Sequence, residues 1–171
     1  MDLKEKIRNI PDFPIEGVLF RDITTLLKDK DGYHYLIDEL VRSLEGKKVD
    51  IVVGPEARGF VIGSALAYAI GAGFVLARKP GKLPCETMKY EYGLEYGTDS
   101  LEIHVDAIQP GQNVVIVDDL LATGGTALAT AKLVEEAGGN VVALRFAIEL
   151  ASEFDGRAPL KDYDVKAIIT Y

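Results

Sequence analysis

Cysteine occurs once in this chain, at position 85, and tryptophan not at all. One thiol cannot close an internal disulfide, which excludes the covalent framework of small secreted folds. Histidine occurs only as His34 and His104. Neither has a second ligand at metal spacing, so both are read as structural. No run approaches the ~20 apolar residues of a membrane span, and the N-terminus is amphipathic and mixed in charge, unlike a secretory signal. Positive charge is also scarce. With 19 Lys and Arg against 27 Asp and Glu, the net charge is −8. That balance argues against nucleic acid or an anionic membrane as the main partner, since either needs a basic face. An anionic ligand must therefore be held by local chemistry, and the expected compartment is the cytoplasm.

What is present suffices for one core. At 171 residues and 48% apolar, the chain is expected to fold as a single domain, residues 1–171, without staples. Leu3, Ile7 and Ile10 fall at helical spacing, which predicts a short helix over 2–9 stopped by Pro11. Asp12-Phe13-Pro14 reads as a turn, and 15–27, lacking a period, as extended chain. Tyr33, Leu36, Ile37, Leu40, Val41 and Leu44 form one helical stripe, with Gly46 as its stop. Val49 to Val53 is a strand by composition, Gly59 to Ile70 an apolar helix ending at Gly71, and Phe74 to Ala77 the next strand. Residues 79–97 are basic, rich in Gly and Pro and without periodicity, and read as a mobile loop. Leu101, Ile103 and Val105 alternate with Glu102 and His104, a strand with one wet face. Strand Val114 to Val117, helix Ala127 to Ala137, and strands 141–148 and 165–169 complete the pattern.

Apolar strands alternating with helices predict an α/β fold with a mainly parallel, Rossmann-like sheet flanked by helices and a ligand at the strands' C-terminal ends. Segments of about 1–30 and 150–160 are left to form a small hood, and about 79–97 a flexible lid.

Chemistry concentrates at strand ends. After Val114–Val117 come Asp118-Asp119-Leu120-Leu121-Ala122-Thr123-Gly124-Gly125-Thr126. The turn aims backbone N–H groups, a helix N-terminus and two hydroxyls at one point, which suits a phosphate. Two carboxylates beside it would repel a bare phosphate, and an acid pair there has no packing use. A ligand carrying a vicinal diol satisfies both halves, with the phosphate of a ribose 5-phosphate group in the Thr/Gly loop and its hydroxyls on Asp118 and Asp119. A divalent cation is the other group the acids could meet. The run is neither a Walker A loop nor G-x-G-x-x-G. A second small-residue turn, Gly54-Pro55-Glu56-Ala57-Arg58-Gly59, places a guanidinium beside helix-N-terminal amides, a combination suited to pyrophosphate. Arg78-Lys79-Pro80-Gly81-Lys82 gathers three cations on a loop able to fold over a polyphosphate.

The run Val-Asp-Asp-Leu-Leu-Ala-Thr-Gly-Gly-Thr resembles the phosphoribosyl-pyrophosphate (PRPP) signature of the type I phosphoribosyltransferases, in the form carried by the adenine-specific branch, and further resemblances run from Ile10 to the C-terminus. The resemblance implies transfer of 5-phosphoribosyl from PRPP to N9 of adenine, giving AMP and diphosphate, as in purine salvage. It implies Mg²⁺ carried in mainly on PRPP, with no direct protein ligand and with Asp118 and Asp119 nearby. It assigns Asp118, Asp119, Ala122, Thr123, Gly124, Gly125 and Thr126 to PRPP and AMP. Glu56, Ala57, Arg58, Arg78, Lys79 and Lys82 go to pyrophosphate, with a non-proline cis peptide expected at Glu56-Ala57. Arg58, Lys82, Glu95 and Tyr96 are the implied catalytic residues, the last three entering as the lid closes. Phe20 would stack on adenine opposite Leu120, while the backbone at Leu19 and Arg21 reads the base edge. Arg78 and Lys79 match residues of which at least one crosses an interface, which implies a homodimer. The stretch at Cys85 is variable, and nothing is carried onto it. Two other functions fit the PRPP loop: a transferase for another nucleobase, and a PRPP-sensing regulator, which would need a basic nucleic-acid-binding surface.

Overall fold

The computed structural model describes residues 1–93 and 97–171. Its centre is a five-stranded, wholly parallel sheet made of β3 (Ile51–Pro55), β4 (Gly73–Ala77), β7 (Asn113–Leu121), β8 (Asn140–Glu149) and β9 (Val165–Thr170), in the order β4-β3-β7-β8-β9. Parallel pairing requires crossovers, and helices supply them. Helix α2 (Lys30–Arg42) and α3 (Arg58–Ile70) lie over one face, and α4 (Gly125–Glu136) over the other.

The period of two along β7 decides which side chain meets which layer. Val115 and Val117 pack with Leu36, Leu40, Ile62 and Leu66 of α2 and α3. Val114 and Ile116 face Leu133 and Val134 of α4, with Leu101 and Ile103 of the strand β6 (Thr98–His104). All four β7 residues are fully buried, as a central parallel strand requires. Helix α2 buries Leu36, Ile37 and Leu40, as its stripe predicts, and starts earlier than the stripe because the Asp29 carboxylate caps it, accepting from Gly32 N–H at 2.7 Å. Helix α3 ends at Gly71 in the left-handed conformation, φ 72°.

Four expectations need correction. The helix over 2–9 shrinks to a 3-10 turn, Leu3–Lys6. Leu3 and Ile7 are buried, but from Arg8 the chain forms strand β1 (Arg8–Pro11), paired antiparallel with β2 (Leu19–Asp22). The Arg8 guanidinium donates to Asp22 across that pairing at 2.6 Å, a contact helical spacing cannot anticipate. Residues 15–27 are not all extended, since α1 (Thr24–Leu27) follows β2. Within the described part of 79–97, only the stretch before Thr87 is a loop. Strand β5 (Thr87–Gly93) pairs antiparallel with β6, and its alternating Met88, Tyr90 and Tyr92 pack against the core on the α4 side. Finally, β6 has no wet face at Glu102, which is buried. Its carboxylate accepts from Gly81 N–H at 2.8 Å and from the Thr87 hydroxyl, and these bonds hold its pKa below the ordinary carboxylate range.

Among the described residues, Arg145 is the one charged residue with no exposed surface. Nε donates to Ser43 Oγ, Nη2 to Ser43 O and Asp164 Oδ2, each at 2.9 Å, and Nη1 to Leu144 O and Asp164 O. From β8 it ties the end of α2, about a hundred residues earlier, to Asp164 just before β9.

Candidate active site

The β3 and β7 strands end side by side, and each turns directly into a helix. After β3 the Glu56-Ala57 peptide is cis, as expected from the sequence, and α3 opens at Arg58. After β7 come the two acids and a loop in which Gly124 adopts φ 87° before α4 begins. A Cβ on Gly124 would stand 2.3 Å from Gly156 O, and a Cβ on Gly156 would stand 2.3 Å from Ala122 O. The tail therefore lies directly on the Thr/Gly loop because neither contact carries a side chain. Gly156 gave no signal in the sequence, since its partner is thirty-odd residues away.

Between the two turns lies a cleft of about 360 Å³. Glu56, Ala57 and Arg58 line one side, Asp118 and Asp119 the floor, Ala122 to Thr126 the other side, and Lys79 and Tyr92 the hairpin side. A second cavity of about 410 Å³, more apolar, opens between Leu19, Phe20 and Arg21 of β2 and Leu120, Ile148, Leu150, Glu153 and Phe154. The two share Arg58, Asp119, Leu120 and Ala122. An anion-binding cleft and an apolar pocket thus meet at one place.

The charges in the cleft are arranged in pairs. Arg58 Nε donates to Asp119 Oδ2, and its guanidinium lies 5.8 Å from the Phe20 ring centre. Asp118 accepts from the Asp119 N–H at 2.8 Å. Burial, and then the neighbouring Asp119 carboxylate, push the Asp118 pKa well above the ordinary carboxylate range. Glu56 holds the basic loop: its Oε1 accepts from Lys79 N–H at 2.7 Å and from Arg78 Nε at 3.2 Å. Lys79 Nζ in turn donates to Asp99, and the Tyr92 hydroxyl lies 3.4 Å from Asp99 Oδ2 and 3.5 Å from the Thr126 hydroxyl.

The structure brings together most of the residues that the sequence singles out. Ala122–Thr126, Asp118, Asp119, Glu56, Ala57, Arg58 and Lys79 share one cleft, and Leu19, Phe20, Arg21 and Leu120 share the adjoining pocket. Arg78 and Lys82 line neither cavity, and Lys82 is exposed. Glu95 and Tyr96 lie outside the described residues. Sequence reasoning missed Tyr92, although the Met88-Tyr90-Tyr92 alternation is the signature of a strand with one packed face. It also missed Ile148, Glu153 and Phe154, whose place in the pocket depends on how the tail folds back. Among the described residues, no three His, Cys, Asp or Glu side chains stand together as a metal-binding group.

Comparison with known proteins agrees with this geometry. The model of the phosphoribosyl transferase domain family matches residues 23–168. An adenine phosphoribosyltransferase of Alkaliphilus metalliredigens is 62% identical over 171 residues, all of both chains. The crystal structure of adenine phosphoribosyltransferase from Thermoanaerobacter pseudethanolicus superposes with a TM-score of 0.96 at 57% identity, over 99% of this chain and 98% of that one. The Saccharomyces cerevisiae enzyme, crystallised with adenine and an imino-altritol bisphosphate, gives 0.90 at 42% identity over 97% and 96%. The fold, the paired strand-end turns and these full-length similarities place the chain in the phosphoribosyltransferase family, among the adenine phosphoribosyltransferases.

Proposed function

We propose that the chain transfers the 5-phosphoribosyl group of PRPP to N9 of adenine, releasing diphosphate and forming AMP. The observation that carries this reading is the junction of the polar cleft with the apolar pocket over Arg58, Asp119, Leu120 and Ala122. A sugar bridging the two would have its 5-phosphate in the Ala122–Thr126 turn, its hydroxyls on Asp118 and Asp119, and its anomeric carbon facing the base.

The protein's work is then positioning and electrostatics rather than covalent catalysis. The N–H groups of the turn and the start of α4 hold the 5-phosphate. Asp119 keeps one oxygen on Arg58, which leaves Oδ1 for a ribose hydroxyl. The two carboxylates also favour the positive charge that develops on the ribose as the C1′–O bond to pyrophosphate breaks. Arg58 and Lys79 lie where they can meet the departing pyrophosphate. Arg78 and Lys82 would have to approach it, together with Glu95 and Tyr96, as the lid closes.

Two carboxylates suit a Mg²⁺ ion that keeps most of its coordination on substrate oxygens and water, and are too few for an all-protein cage. When bound it would neutralise charge on the pyrophosphate, with Asp118 and Asp119 beside it. Phe20 and Leu120 offer opposite apolar faces to a planar base, and the main chain at Leu19 and Arg21 offers an acceptor and a donor.

A homodimer fits the same reading. Tyr68 of α3 is 92% exposed, and Val61 of α3 and Leu76 of the edge strand β4 are also exposed, so this face of the monomer carries unburied apolar surface. No helix among the described residues is long and apolar enough to cross a membrane.

The test is AMP formation from adenine and PRPP with Mg²⁺, followed by chromatography. AMP and diphosphate in equal amounts, dependent on PRPP, are expected. Tight PRPP binding without AMP formation would instead favour a regulator.

A further inference from the structure

The apolar pocket has two walls, β2 on one side and the tail after β8 on the other, and Tyr171 is joined to both. Its N–H donates to Glu149 O at 2.9 Å, and its main-chain oxygen accepts from Ser152 N–H at 2.9 Å. Those bonds fix it at the end of β8 and against the segment that leads into Glu153 and Phe154. Its ring lies against the Arg21 guanidinium, with Cζ 3.9 Å from the ring centre, and Lys4 Nζ stands 5.0 Å from the same centre. These are separations at which a cation is held by an aromatic face.

Arg21 has few other anchors. Its Nη1 donates to Asn9 Oδ1 at 2.7 Å, but Asn9 is its own partner across the β1–β2 pairing, so that bond stiffens the hairpin without locating it. Its Nε is buried with no hydrogen-bond partner among the described residues. The Tyr171 ring is thus the contact through which the Arg21 side chain is tied to the five-stranded sheet. Whatever sets the height of Arg21 also sets the main-chain groups of Leu19 to Arg21 that line the pocket.

We infer that Tyr171 is a positioning residue for the base, holding the β2 wall at a fixed distance from the tail wall through the Arg21 guanidinium. The inference rests on the reading of this pocket as the adenine site. It requires no hydrogen bond from the phenol, only the ring.

KM values for adenine and for PRPP, measured on a set of variants, test it. Tyr171→Leu should raise the KM for adenine roughly 5- to 30-fold, the equivalent of losing one cation–ring contact of about 1–2 kcal/mol, while the KM for PRPP stays within about twofold. Tyr171→Phe should match the wild type. Arg21→Met, which keeps the main chain and removes the cation, should reproduce the Tyr171→Leu shift, and the double variant should add nothing beyond the larger single effect. It also decides the matter if Tyr171→Leu does not fold.

Phe20→Ala serves as the control on the pocket. If Phe20→Ala raises the KM for adenine and neither Tyr171→Leu nor Arg21→Met does, the positioning role is wrong and the pocket stands. If none of the three moves it, the pocket assignment fails first. Equal rises in both KM values, with a lowered Tm, would reduce Tyr171 to general structural support and overturn the inference.

Discussion

Replacing Asp118 with Asn should make the protein more stable and less active at once. The Asp118 carboxyl is pushed above its ordinary range first by burial and then by Asp119 beside it, so its ionised form is disfavoured in the folded state. The sign follows from proton counting. Between the unfolded value of 3.8 and the raised folded value, the folded chain binds more protons than the unfolded one, so stability falls as pH rises through that window. The loss continues until the pH passes the raised folded value. An Asn removes both the repulsion and the desolvation, and relief of such a functional compromise is commonly worth about 0.5–2 kcal/mol. For a chain of this size that is a Tm rise of about 1–8 °C at pH 7.5. The wild-type decline in stability just above pH 4 should also flatten in the variant. Activity should move the other way, because a ribose hydroxyl loses a charged acceptor worth roughly 1.5–3 kcal/mol. That predicts a fall of about 10- to 150-fold in kcat/KM for PRPP. Thermal unfolding across pH 4–8 and initial rates with varied PRPP measure the two halves. A variant that unfolds earlier than the wild type at pH 7.5, or one that keeps wild-type kcat/KM, would refute the reasoning.

Other substitutions probe separate parts of the account. Gly156→Ala would drive a methyl group into Ala122 O, so it should cost about 1–3 kcal/mol of stability and raise the KM for PRPP more than that for adenine; steady-state kinetics on the folded fraction separates the two. Arg145→Leu strands the acceptors at Ser43, Leu144 and Asp164, and should destabilise by about 3–5 kcal/mol in denaturant unfolding while leaving the KM values of the surviving protein near wild type. Mixing Arg78→Ala with Glu95→Ala protein should restore partial activity if one subunit lends Arg78 to its partner's site, and mixed dimers with no recovery would rule out a shared site. Arg21→Ala should keep the preference for adenine over hypoxanthine, because the reading groups are main chain, even as its KM for adenine rises.

The parts of the molecule that could be read from the sequence are those whose cause is local. The four β-branched residues before Asp118 can only be a central strand, and the acids and the Thr/Gly turn after them declare their chemistry within a dozen positions. The stripe on α2 is equally local, although the helix start at the Asp29 cap is not read from it. The hood and the lid were misread where the deciding contact is distant: Arg8 on Asp22 turns a helical spacing into a strand, and pairing with β6 turns the stretch after the basic loop into β5. Glu102 looked solvated because its partners come from elsewhere in the chain: Thr87 from that pairing, and Gly81 N–H from the loop that pairs at Arg78 with Glu102. The same limit hides Gly156 and Phe154, which meet the Thr/Gly loop and the pocket only after the tail folds back. At Arg58 the residue and its place were legible, but its partner Asp119 was not, since the sequence shows two anion-binding turns and not that their side chains meet.

The most direct measurement of the central claim is kcat/KM with PRPP for a panel of adenine, hypoxanthine, guanine and a pyrimidine, followed by diphosphate release. If the Leu19 carbonyl accepts from the exocyclic amine and the Arg21 N–H donates to N1, hypoxanthine would set its O6 against a carbonyl and its N1–H against an N–H. Two unsatisfied groups at roughly 1–3 kcal/mol each predict that adenine is preferred by about two to four orders of magnitude. A value for hypoxanthine or guanine within tenfold of adenine would contradict recognition of the base by this backbone edge.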